Sequence, residues 1–428
     1  MSSIRTIGSA PHLSGEVHVP GDKSGSHRAL LLSALAPGTS SIEGMSPGAD
    51  VGATARIIQR LGARLEARGP LTEVHGPQHG LRACDHNLDC GNSGTSMRLL
   101  AGLLSGIEGH HLLVGDESLS KRPMDRVAVP LKMMGAGVQG VGTRVCAPLN
   151  IEGRRQLRAI DYHVPIASAQ VKSALLFAAL CADGPSTIRE DVRTRSTTED
   201  MMHAAGIDLG SVDHDAGRTV RIRPGRPRAR RWRVPGDPSQ AAFFAVLGAI
   251  HENATIKVAS MDDAPERTGF VTVLLRMGAH VELQNGSHGV SLTSSSAELH
   301  ATEVISSEIP SVDEVPVLSV AAAAANGVSA FRDMGELRVK ESDRFAGSIA
   351  LARALGCRVW EEGDDFFIEG RGGARHFASF TLAPTLDHRM VMASAVAALA
   401  GRGATLEGAD TVSSSYPNFF EDLASLRE

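Results

Sequence analysis

The stretch HVPGDKSGSHRALLLSALAPGTSSIEG, from His18 to Gly44, contains the pattern that decides the fold. An extended lead-in and a short polar loop precede an Ala- and Leu-rich segment of helical length, a small-residue turn and a β-prone segment. Five similar stretches follow, beginning at Leu88, Tyr162, Trp232, Ser307 and Pro384. The starts lie roughly 70 to 77 residues apart, a period too long for the common solenoid repeats. The sequence therefore predicts six repeats.

A second pattern has the same period: a helix that ends in glycine and leads into an alternating segment. The glycines are Gly62, Gly135, Gly206, Gly278 and Gly356. Glycine just beyond the last helical residue is a common helix stop. The alternation that follows, as in Ala279 to Glu282, predicts a half-buried strand. Each repeat is therefore predicted to be β-α-β-α-β-β in an α/β protein, with two groups of three repeats dividing near Pro235 to Asp237.

The composition excludes several classes of protein. Of the 428 residues, 42% are hydrophobic and 21% charged, and the net charge of -5 disfavours nucleic-acid binding. The basic run from Arg223 to Arg233 is interpreted as a solvated turn and strand edge. No apolar run approaches the roughly 18 residues of a membrane span, and the first residues lack the regions of a signal peptide. Five scattered cysteines without a C-x-x-C pair predict neither disulfides nor a zinc site, and favour a reducing cytosol.

Polar residues gather in the loops that precede helices. A helix N-terminus suits phosphate or carboxylate groups, because it has free N–H groups and a partial positive charge. If the repeats bring these loops together, the acidic protein gains a basic cleft suited to two phosphorylated or carboxylated ligands. The loop residues are Lys23, Ser24, Arg28, Asn92, Ser93, Gly94, Thr95, Arg98, Lys121, Arg122, Ser168, Ala169, Gln170, Lys172, Arg195, Asp313, Glu314, Lys340, Glu341, Asp343, Arg344, Asp387, His388 and Arg389.

Simpler interpretations of these residues stay open. A single Lys or Arg at a helix start is usually surface charge, Asp387 would serve equally well as a helix cap, and Glu341 would serve as a structural partner of Arg344. A carboxylate held ionised among cations would instead suit a base. The GDKS segment lacks both P-loop glycines, no G-x-G-x-x-G follows a strand, and metal motifs are absent. Neither a nucleotide, an organic cofactor nor a metal is predicted.

The motifs and their order resemble those of the EPSP (5-enolpyruvylshikimate-3-phosphate) synthase family over nearly the whole chain. They are PGDKSGSHR, GNSGTSMR, KRPM, SAQVK, LRVKESDR and LDHRM. The resemblance implies a two-domain inside-out barrel with three repeats in each domain, one of residues 21–236 and the other of residues 1–20 and 237–428. It implies transfer of the enolpyruvyl group of phosphoenolpyruvate to the 5-hydroxyl of 3-phosphoshikimate, in the aromatic amino-acid pathway that glyphosate targets. A cytoplasmic monomer without cofactor or metal is expected.

The resemblance also implies roles for individual residues. Asp313 would accept the proton of the 5-hydroxyl, Glu341 would protonate the methylene carbon and later remove a proton, and Lys23 would assist catalysis. Contacts to 3-phosphoshikimate are expected from Lys23, Ser24, Arg28, Ser168, Ala169, Gln170, Arg195, Asp313 and Lys340. Contacts to phosphoenolpyruvate are expected from Lys23, Asn92, Gly94, Arg122, Gln170, Arg344, His388 and Arg389.

Three positions depart from the better-known glyphosate-sensitive branch of the family, namely Leu99, Ala169 and Ser414. Because Gly94 is kept, the response to glyphosate stays open. Two other functions also stay open. A related transferase acting on UDP-N-acetylglucosamine uses a cysteine in a mobile loop, and residues 118–129 contain none. A non-catalytic repeat protein that binds phosphorylated ligands would not need both Asp313 and Glu341.

Overall fold

The computed structural model describes residues 3–286 and 289–427. The α-helices are α1 Lys23–Leu35, α2 Ala49–Arg60, α3 Gly94–Ser105, α4 Asp125–Met133, α5 Ala169–Ala179, α6 Thr197–Ala204, α7 Pro238–Ile250, α8 Gly269–Arg276, α9 Val315–Ala324, α10 Arg344–Ala354, α11 His388–Ala400 and α12 Phe419–Ser425. The strands are β1 Ile4–Ile7, β2 Leu13–Val17, β3 Gly38–Glu43, β4 Arg64–Arg68, β5 Leu71–Gly76, β6 Leu88–Asp89, β7 Gly109–Val114, β8 Gly137–Val141, β9 Cys146–Gly153, β10 Asp161–Val164, β11 Ser186–Glu190, β12 Leu209–Asp213, β13 Arg218–Ile222, β14 Arg231–Arg233, β15 Ala254–Met261, β16 His280–Gly286, β17 Gly289–Ser295, β18 Glu303–Ile305, β19 Val328–Arg332, β20 Arg358–Glu362, β21 Asp365–Glu369, β22 Phe380–Leu382 and β23 Ala404–Glu407.

The chain divides into two compact units. The continuous unit is Lys23–Val234, and the discontinuous unit consists of the residues up to Asp22 together with those from Pro235 onward. The continuous unit has three four-stranded sheets, with strand orders β14-β3-β5-β4, β6-β7-β9-β8 and β10-β11-β13-β12. In each sheet the first two strands are parallel and the other pairs are antiparallel.

The discontinuous unit has two four-stranded sheets, β16-β17-β15-β2 and β18-β19-β21-β20, and a three-stranded sheet, β1-β23-β22. Strand β2 precedes α1 in the sequence, but it pairs in parallel with β15, Leu13 opposite Ala254. Strand β14 precedes α7, but it pairs in parallel with β3 of the continuous unit, Trp232 opposite Ile42. The lead-in strands of the first and fourth repeats are therefore exchanged. The repeat pattern alone does not indicate this exchange, whereas the domain bounds implied by the family resemblance do.

Each unit has its own hydrophobic core, built around three helices that have no exposed face. In the discontinuous unit these are α7, α9 and α11, in which every residue is buried. Their Ala-rich sequences suit this position, because small side chains let helices approach closely and leave no polar face that needs water. In the continuous unit α1, α3 and α5 have the same role, and a Cβ at Gly102 of α3 would lie 2.0 Å from the carbonyl oxygen of Ala174 in α5.

The helix stops and the α/β class predicted from the sequence are confirmed. All five predicted stop glycines have positive φ, between 82° and 109°. The prediction of a final hairpin in the sixth repeat is wrong. After β23 the described chain forms a 3-10 helix, Ala409–Ser414, and α12 but no further strand, and the open edge of β23 is paired with the N-terminal strand β1 instead, Ile7 opposite Ala404. The sixth repeat also lacks the stop glycine seen in the other five.

Within the described residues, no helix has both the length and the apolar character required to cross a membrane.

The role of β1 in the sixth sheet is tested by two substitutions in the same strand. Ile7 is 7% exposed and belongs to the core of the discontinuous unit, whereas Ile4 is 67% exposed. We expect Ile7→Ala to lower the free energy of unfolding by about 2–4 kcal/mol, because it leaves a cavity beside β23. Ile4→Ala, the matched control, should leave the free energy of unfolding nearly unchanged. Denaturant unfolding followed by circular dichroism measures both, and equal losses would contradict the pairing.

Candidate active site

In the continuous unit, the start of α1 carries a lysine and an arginine whose side chains bind different neighbours. Lys23 Nζ lies 3.0 Å from Oδ2 of Asp50, a buried carboxylate at the start of α2. Arg28 is 3% exposed and donates to the carbonyl oxygen of Ser24 at 2.9 Å and to Oγ of Ser173 at 2.7 Å. These contacts fix the positions of two cations of the KSGSHR motif, Lys23 and Arg28.

The start of α5 lies close to the same helix. Ser168 caps α5 by accepting from the backbone N–H of Val171. Ser173, one turn into α5, binds Arg28, so α5 and α1 are joined at their first turns. Nη1 of Arg195 donates to Oγ of Ser24 at 3.2 Å. Ser24, Arg28 and Arg195, three of the residues expected to bind 3-phosphoshikimate, are therefore neighbours, and Ala169 is the first residue of α5.

The residues expected to bind phosphoenolpyruvate in this unit cluster around the start of α3. A Cβ at Gly94 would lie 2.6 Å from Nη1 of Arg122 and 2.8 Å from Nη1 of Arg98. Arg98 Nη1 donates to Oε1 of Gln170 at 2.6 Å, and the amide of Gln170 donates to Oγ1 of Thr95 at 2.9 Å.

Asn92, just before Ser93 and Gly94, donates to Asp116 at 2.6 Å. Ser93 caps α3 by accepting from the backbone N–H of Ser96. Arg98 was listed among the loop residues of this motif without a role of its own, and the structure places it between Gly94 and Gln170.

A buried network beneath these loops was also missed. Nδ1 of His27 and Oγ1 of Thr54 are 2.8 Å apart, and the same hydroxyl lies 2.8 Å from Oγ of Ser96. The network links α1, α2 and α3. Burial, followed by the charges of Lys23 and Arg28, holds the pKa of His27 well below its usual range, so the ring is neutral. His27 lies inside the KSGSHR motif, which was the available signal.

Two lysines interpreted as loop cations have other positions. Lys172 is fully buried, with Nζ 2.9 Å from Glu190 and 2.7 Å from Glu199, so its charge is bound internally. Burial raises the pKa of Glu199, and Lys172 opposes that rise. Lys121 lies on the surface, 2.7 Å from Glu117. The interpretation of Lys172 as a ligand-facing cation is wrong, because position 172 falls on the inner face of α5.

In the discontinuous unit, Arg344 is the centre of a buried ion cluster. Its side chain is fully buried at the start of α10. Nε and Nη2 bind the two carboxylate oxygens of Asp387 at 2.8 and 3.1 Å. Nη1 binds Asp313 at 2.8 Å, and Nη2 lies 2.6 Å from Glu341. These carboxylates together raise the pKa of the guanidinium against the opposing effect of burial.

Asp313 faces three cations. Its Oδ1 binds Arg344, its Oδ2 lies 3.6 Å from Nη2 of Arg389, and Lys340 is close enough to act on its charge. Burial by itself would raise the pKa of Asp313, but the charges of Arg389, Lys340 and Arg344 outweigh it and hold the pKa well below the usual range. Burial lowers the pKa of Lys340, whose Nζ donates to the carbonyl oxygen of Ser311 at 3.0 Å.

For both Asp387 and Glu341, the structural role that the sequence left open does not exclude a role in the candidate site. Asp387 caps α11 by accepting from the backbone N–H of Arg389 at 3.0 Å, and it also binds Arg344. His388 and Arg389, the first residues of α11, are each 2% exposed. Glu341 does pair with Arg344, and its side chain is still 15% exposed, so it remains accessible to a ligand.

Among the described residues, one trio of possible metal ligands has its donor atoms within 4.8 Å of one another: Glu66, Glu73 and His75. Arg68 lies 3.0 Å from Glu66 and 3.1 Å from Glu73, so both carboxylates already share a cationic partner. This trio lies on a sheet of the first repeat, apart from the loops that hold the candidate site.

Solved structures share the fold of this chain. The chain superposes on the enolpyruvyl transferase NikO from Streptomyces tendae with a TM-score of 0.79 at 18% identity, covering 99% of this chain and 97% of that one, a likeness of fold alone. It superposes on the EPSP synthase of Acinetobacter baumannii with a TM-score of 0.85 at 35% identity, covering 100% and 98% of the two chains.

The sequence profile of EPSP synthase (3-phosphoshikimate 1-carboxyvinyltransferase) matches residues 8–423. The chain is 44% identical to the 3-phosphoshikimate 1-carboxyvinyltransferase of Synechococcus sp. WH7803, covering all of this chain and 99% of the relative. It is 43% identical to the enzyme of that name from Gloeobacter violaceus, with both chains fully covered. The chain therefore belongs to the EPSP synthase family, as its motifs predicted.

The buried position of Lys172 leads to a test with a matched lysine. We expect Lys172→Met to lower the free energy of unfolding by about 3–5 kcal/mol, because it leaves Glu190 and Glu199 buried without their cation. Lys121→Met removes an exposed partner of Glu117 and should leave the melting temperature unchanged. Thermal and denaturant unfolding of both variants measures the difference. Similar melting temperatures for the two variants would contradict the internal role of Lys172.

The contacts of Gly94 lead to a test of ligand discrimination. A methyl at this position would lie within 2.8 Å of the guanidinium groups of Arg122 and Arg98, so these side-chain ends must shift, and the methyl narrows the space beside them. We expect Gly94→Ala to weaken glyphosate inhibition more than it raises KM for phosphoenolpyruvate, because a longer ligand has less room. Gly210→Ala, where a Cβ meets nothing within 4 Å, is the control. Equal losses for the two ligands would show that the methyl does not discriminate.

Proposed function

We propose that this chain transfers the enolpyruvyl group of phosphoenolpyruvate to the 5-hydroxyl of 3-phosphoshikimate and releases phosphate, a step of the shikimate pathway to aromatic amino acids. The observation that carries the proposal is the ion cluster of the discontinuous unit. Two partly exposed carboxylates, Asp313 and Glu341, share the buried Arg344, in a member of the EPSP synthase family. An acid and a base that act on neighbouring atoms of one substrate pair need this closeness.

Asp313 is assigned as the base. Its low pKa keeps it ionised throughout the neutral range, so its carboxylate is free to accept the proton of the 5-hydroxyl as the oxygen attacks C2 of phosphoenolpyruvate. Asp313 becomes neutral as it takes this proton, while Glu341 becomes negative as it gives up its own. The negative charge therefore moves from one partner of Arg344 to another, and the cation stabilises it in both positions.

Glu341 is assigned as the acid. It delivers a proton to the methylene carbon of phosphoenolpyruvate during addition, which gives a tetrahedral intermediate. It then removes a proton from the same carbon as phosphate leaves, and the enol ether forms. Glu341 thus returns to its starting protonation state. Asp313 gives the proton of the 5-hydroxyl to the departing phosphate, so both carboxyl groups are restored and no external acid, base or redox partner is required. The 2.6 Å contact with Arg344 fixes the direction of the Glu341 carboxyl group.

The cations of both units are assigned to the two anionic substrates. Bringing two phosphorylated molecules together is opposed by Coulomb repulsion unless cations compensate it. We assign 3-phosphoshikimate to Lys23, Ser24, Arg28, Ser168, Ala169, Gln170, Arg195, Asp313 and Lys340. We assign phosphoenolpyruvate to Lys23, Asn92, Gly94, Arg122, Gln170, Arg344, His388 and Arg389. The side chain of Ala169 offers no polar group, so its part is limited to its backbone and its small size.

We also propose that residues 21–236 and residues 1–20 with 237–428 are the two functional domains, and that the protein is a cytoplasmic monomer. All five cysteines are free, which supports a reducing compartment. Light scattering during gel filtration measures the mass of the particle, and a dimer mass would contradict the monomer.

Phosphate release with both substrates tests the proposed activity directly. We expect release only when 3-phosphoshikimate and phosphoenolpyruvate are both present, and no release when UDP-N-acetylglucosamine replaces 3-phosphoshikimate. Release with UDP-N-acetylglucosamine would favour the related transferase. Binding of 3-phosphoshikimate without any release would favour a non-catalytic protein.

The roles of the two carboxylates are tested by Asp313→Ala and Glu341→Gln. We expect each variant to lower kcat about 100-fold or more, which is a usual contribution of a general acid or base. Glu362→Gln, an exposed position in β20, is the control and should retain full turnover. Circular dichroism verifies that each variant is folded. Near-normal turnover in a folded variant removes that residue from the mechanism.

A further inference from the structure

The turn that carries Asp313 has an unfavourable backbone conformation. Val312 has a φ of 49°, in the left-handed region that β-branched residues avoid. Its N–H donates to the carbonyl oxygen of Ile309 at 2.8 Å, and its side chain is only 3% exposed. A strained residue directly before a catalytic carboxylate persists only if its surroundings hold it.

Glu314, on the other side of Asp313, makes hydrogen bonds that restrain this turn. It is 2% exposed and stands directly before α9, where its side chain does not cap the helix. One carboxylate oxygen accepts from Oγ of Ser311 at 2.9 Å, and the other accepts from Oγ of Ser239 in the first turn of α7. Ser311 Oγ in turn accepts from the backbone N–H of Asp313 at 3.4 Å. Ser311 and Glu314, which flank Val312 and Asp313, are thus joined by a hydrogen bond to the Glu314 carboxylate, and the same carboxylate binds Ser239.

A buried cation of the same unit lies near Glu314, although its direct partners are Asp22 and Asp237. Arg267 is buried, and its Nη2 lies 3.4 Å from Oγ of Ser239 and 2.6 Å from Asp237, the cap of α7. Glu314 contributes to raising the pKa of Arg267, although Asp22 and Asp237 contribute more and burial opposes all three. The Glu314 carboxylate therefore has a hydroxyl donor at each oxygen, and Arg267 acts on it through Ser239 rather than by direct contact. Buried polar groups need such hydrogen-bond partners.

We propose that Glu314 is a positioning residue, which fixes the turn from Ser311 to Asp313 and thereby directs the Asp313 carboxylate at the hydroxyl it deprotonates. The inference rests on the proposed function, because it assigns to Glu314 an action through the base of that reaction. Lys340 supports the same turn by donating to the carbonyl oxygen of Ser311. Lys340 binds the backbone carbonyl of Ser311, whereas Glu314 binds its hydroxyl. Of these two side chains, only Glu314 also links the turn to Ser239 of α7.

The test compares Glu314→Gln and Ser311→Ala with wild type and with Glu308→Gln. Glu314→Gln keeps the shape of the side chain but removes one of its two acceptors. Ser311→Ala removes the hydroxyl that joins Glu314 to the N–H of Asp313. Glu308 lies on the same segment, where it pairs with Arg276 at the surface, and serves as the control. Steady-state phosphate release gives kcat and both KM values, and circular dichroism gives the folded fraction.

We expect both variants to lower kcat about tenfold or more while both KM values stay within about threefold, because a misdirected base slows the chemical step without removing a substrate contact. Glu308→Gln should retain wild-type kcat. A purely structural role would instead lower the folded fraction in proportion to turnover and leave kcat per folded molecule unchanged. If Glu314→Gln does not fold, Ser311→Ala, which removes only one hydroxyl, decides by the same criterion.

The inference is overturned if kcat per folded molecule stays within about twofold of wild type, or if Glu308→Gln loses as much as the other variants. It is also overturned if the loss is confined to KM. An inactive wild type would contradict the proposed function, and the inference with it. An active wild type with unaffected variants contradicts the inference alone.

Discussion

The buried guanidinium of Arg344 is the interaction on which the discontinuous unit depends. A charge that has lost its water is costly unless it is paired and hydrogen-bonded, and Arg344 meets this condition by contacting Asp313, Glu341 and Asp387. The same condition applies to the carboxylates, since each of them would lose a charged partner without Arg344. Because Arg389 and Lys340 also act on Asp313, three cations face three carboxylates. The cluster is thus close to electrically neutral when all three carboxylates are ionised, and it has an excess of positive charge when Glu341 is protonated, as its role as the acid requires.

Local features of the structure could be predicted from the sequence, and long-range pairings could not. Stop glycines such as Gly62 and Gly278 were readable because a helix end is set by a few neighbouring residues. The contact of Arg344 with Asp387 joins positions 43 apart, and spacing alone does not reveal it. The repeat pattern did not reveal the exchange of β2 and β14 for the same reason, since strand pairing depends on where the chain travels afterwards, and only the domain bounds implied by the family resemblance pointed to it.

Two misjudged features had signals in the sequence that local reasoning passed over. Lys172 stands within VKSALLFAA, whose apolar residues occupy every face, so a charge there needed internal partners, which Glu190 and Glu199 supply. The sixth repeat had no stop glycine, and this absence already distinguished it from the other five. Glu314 was visible beside Asp313, but its link to Ser239 joins two repeats and required the fold.

The pairing of β1 with β23 and of β2 with β15 imposes an order on folding during synthesis. A ribosome releases the chain from its N-terminus, and domains generally fold as they emerge. The continuous unit, Lys23–Val234, has all of its strands once residue 234 is out. The first two strands must wait for partners made later, β1 for nearly the whole length of the chain. Until then they are unpaired edges, and their shortness, four and five residues, limits what else they can capture.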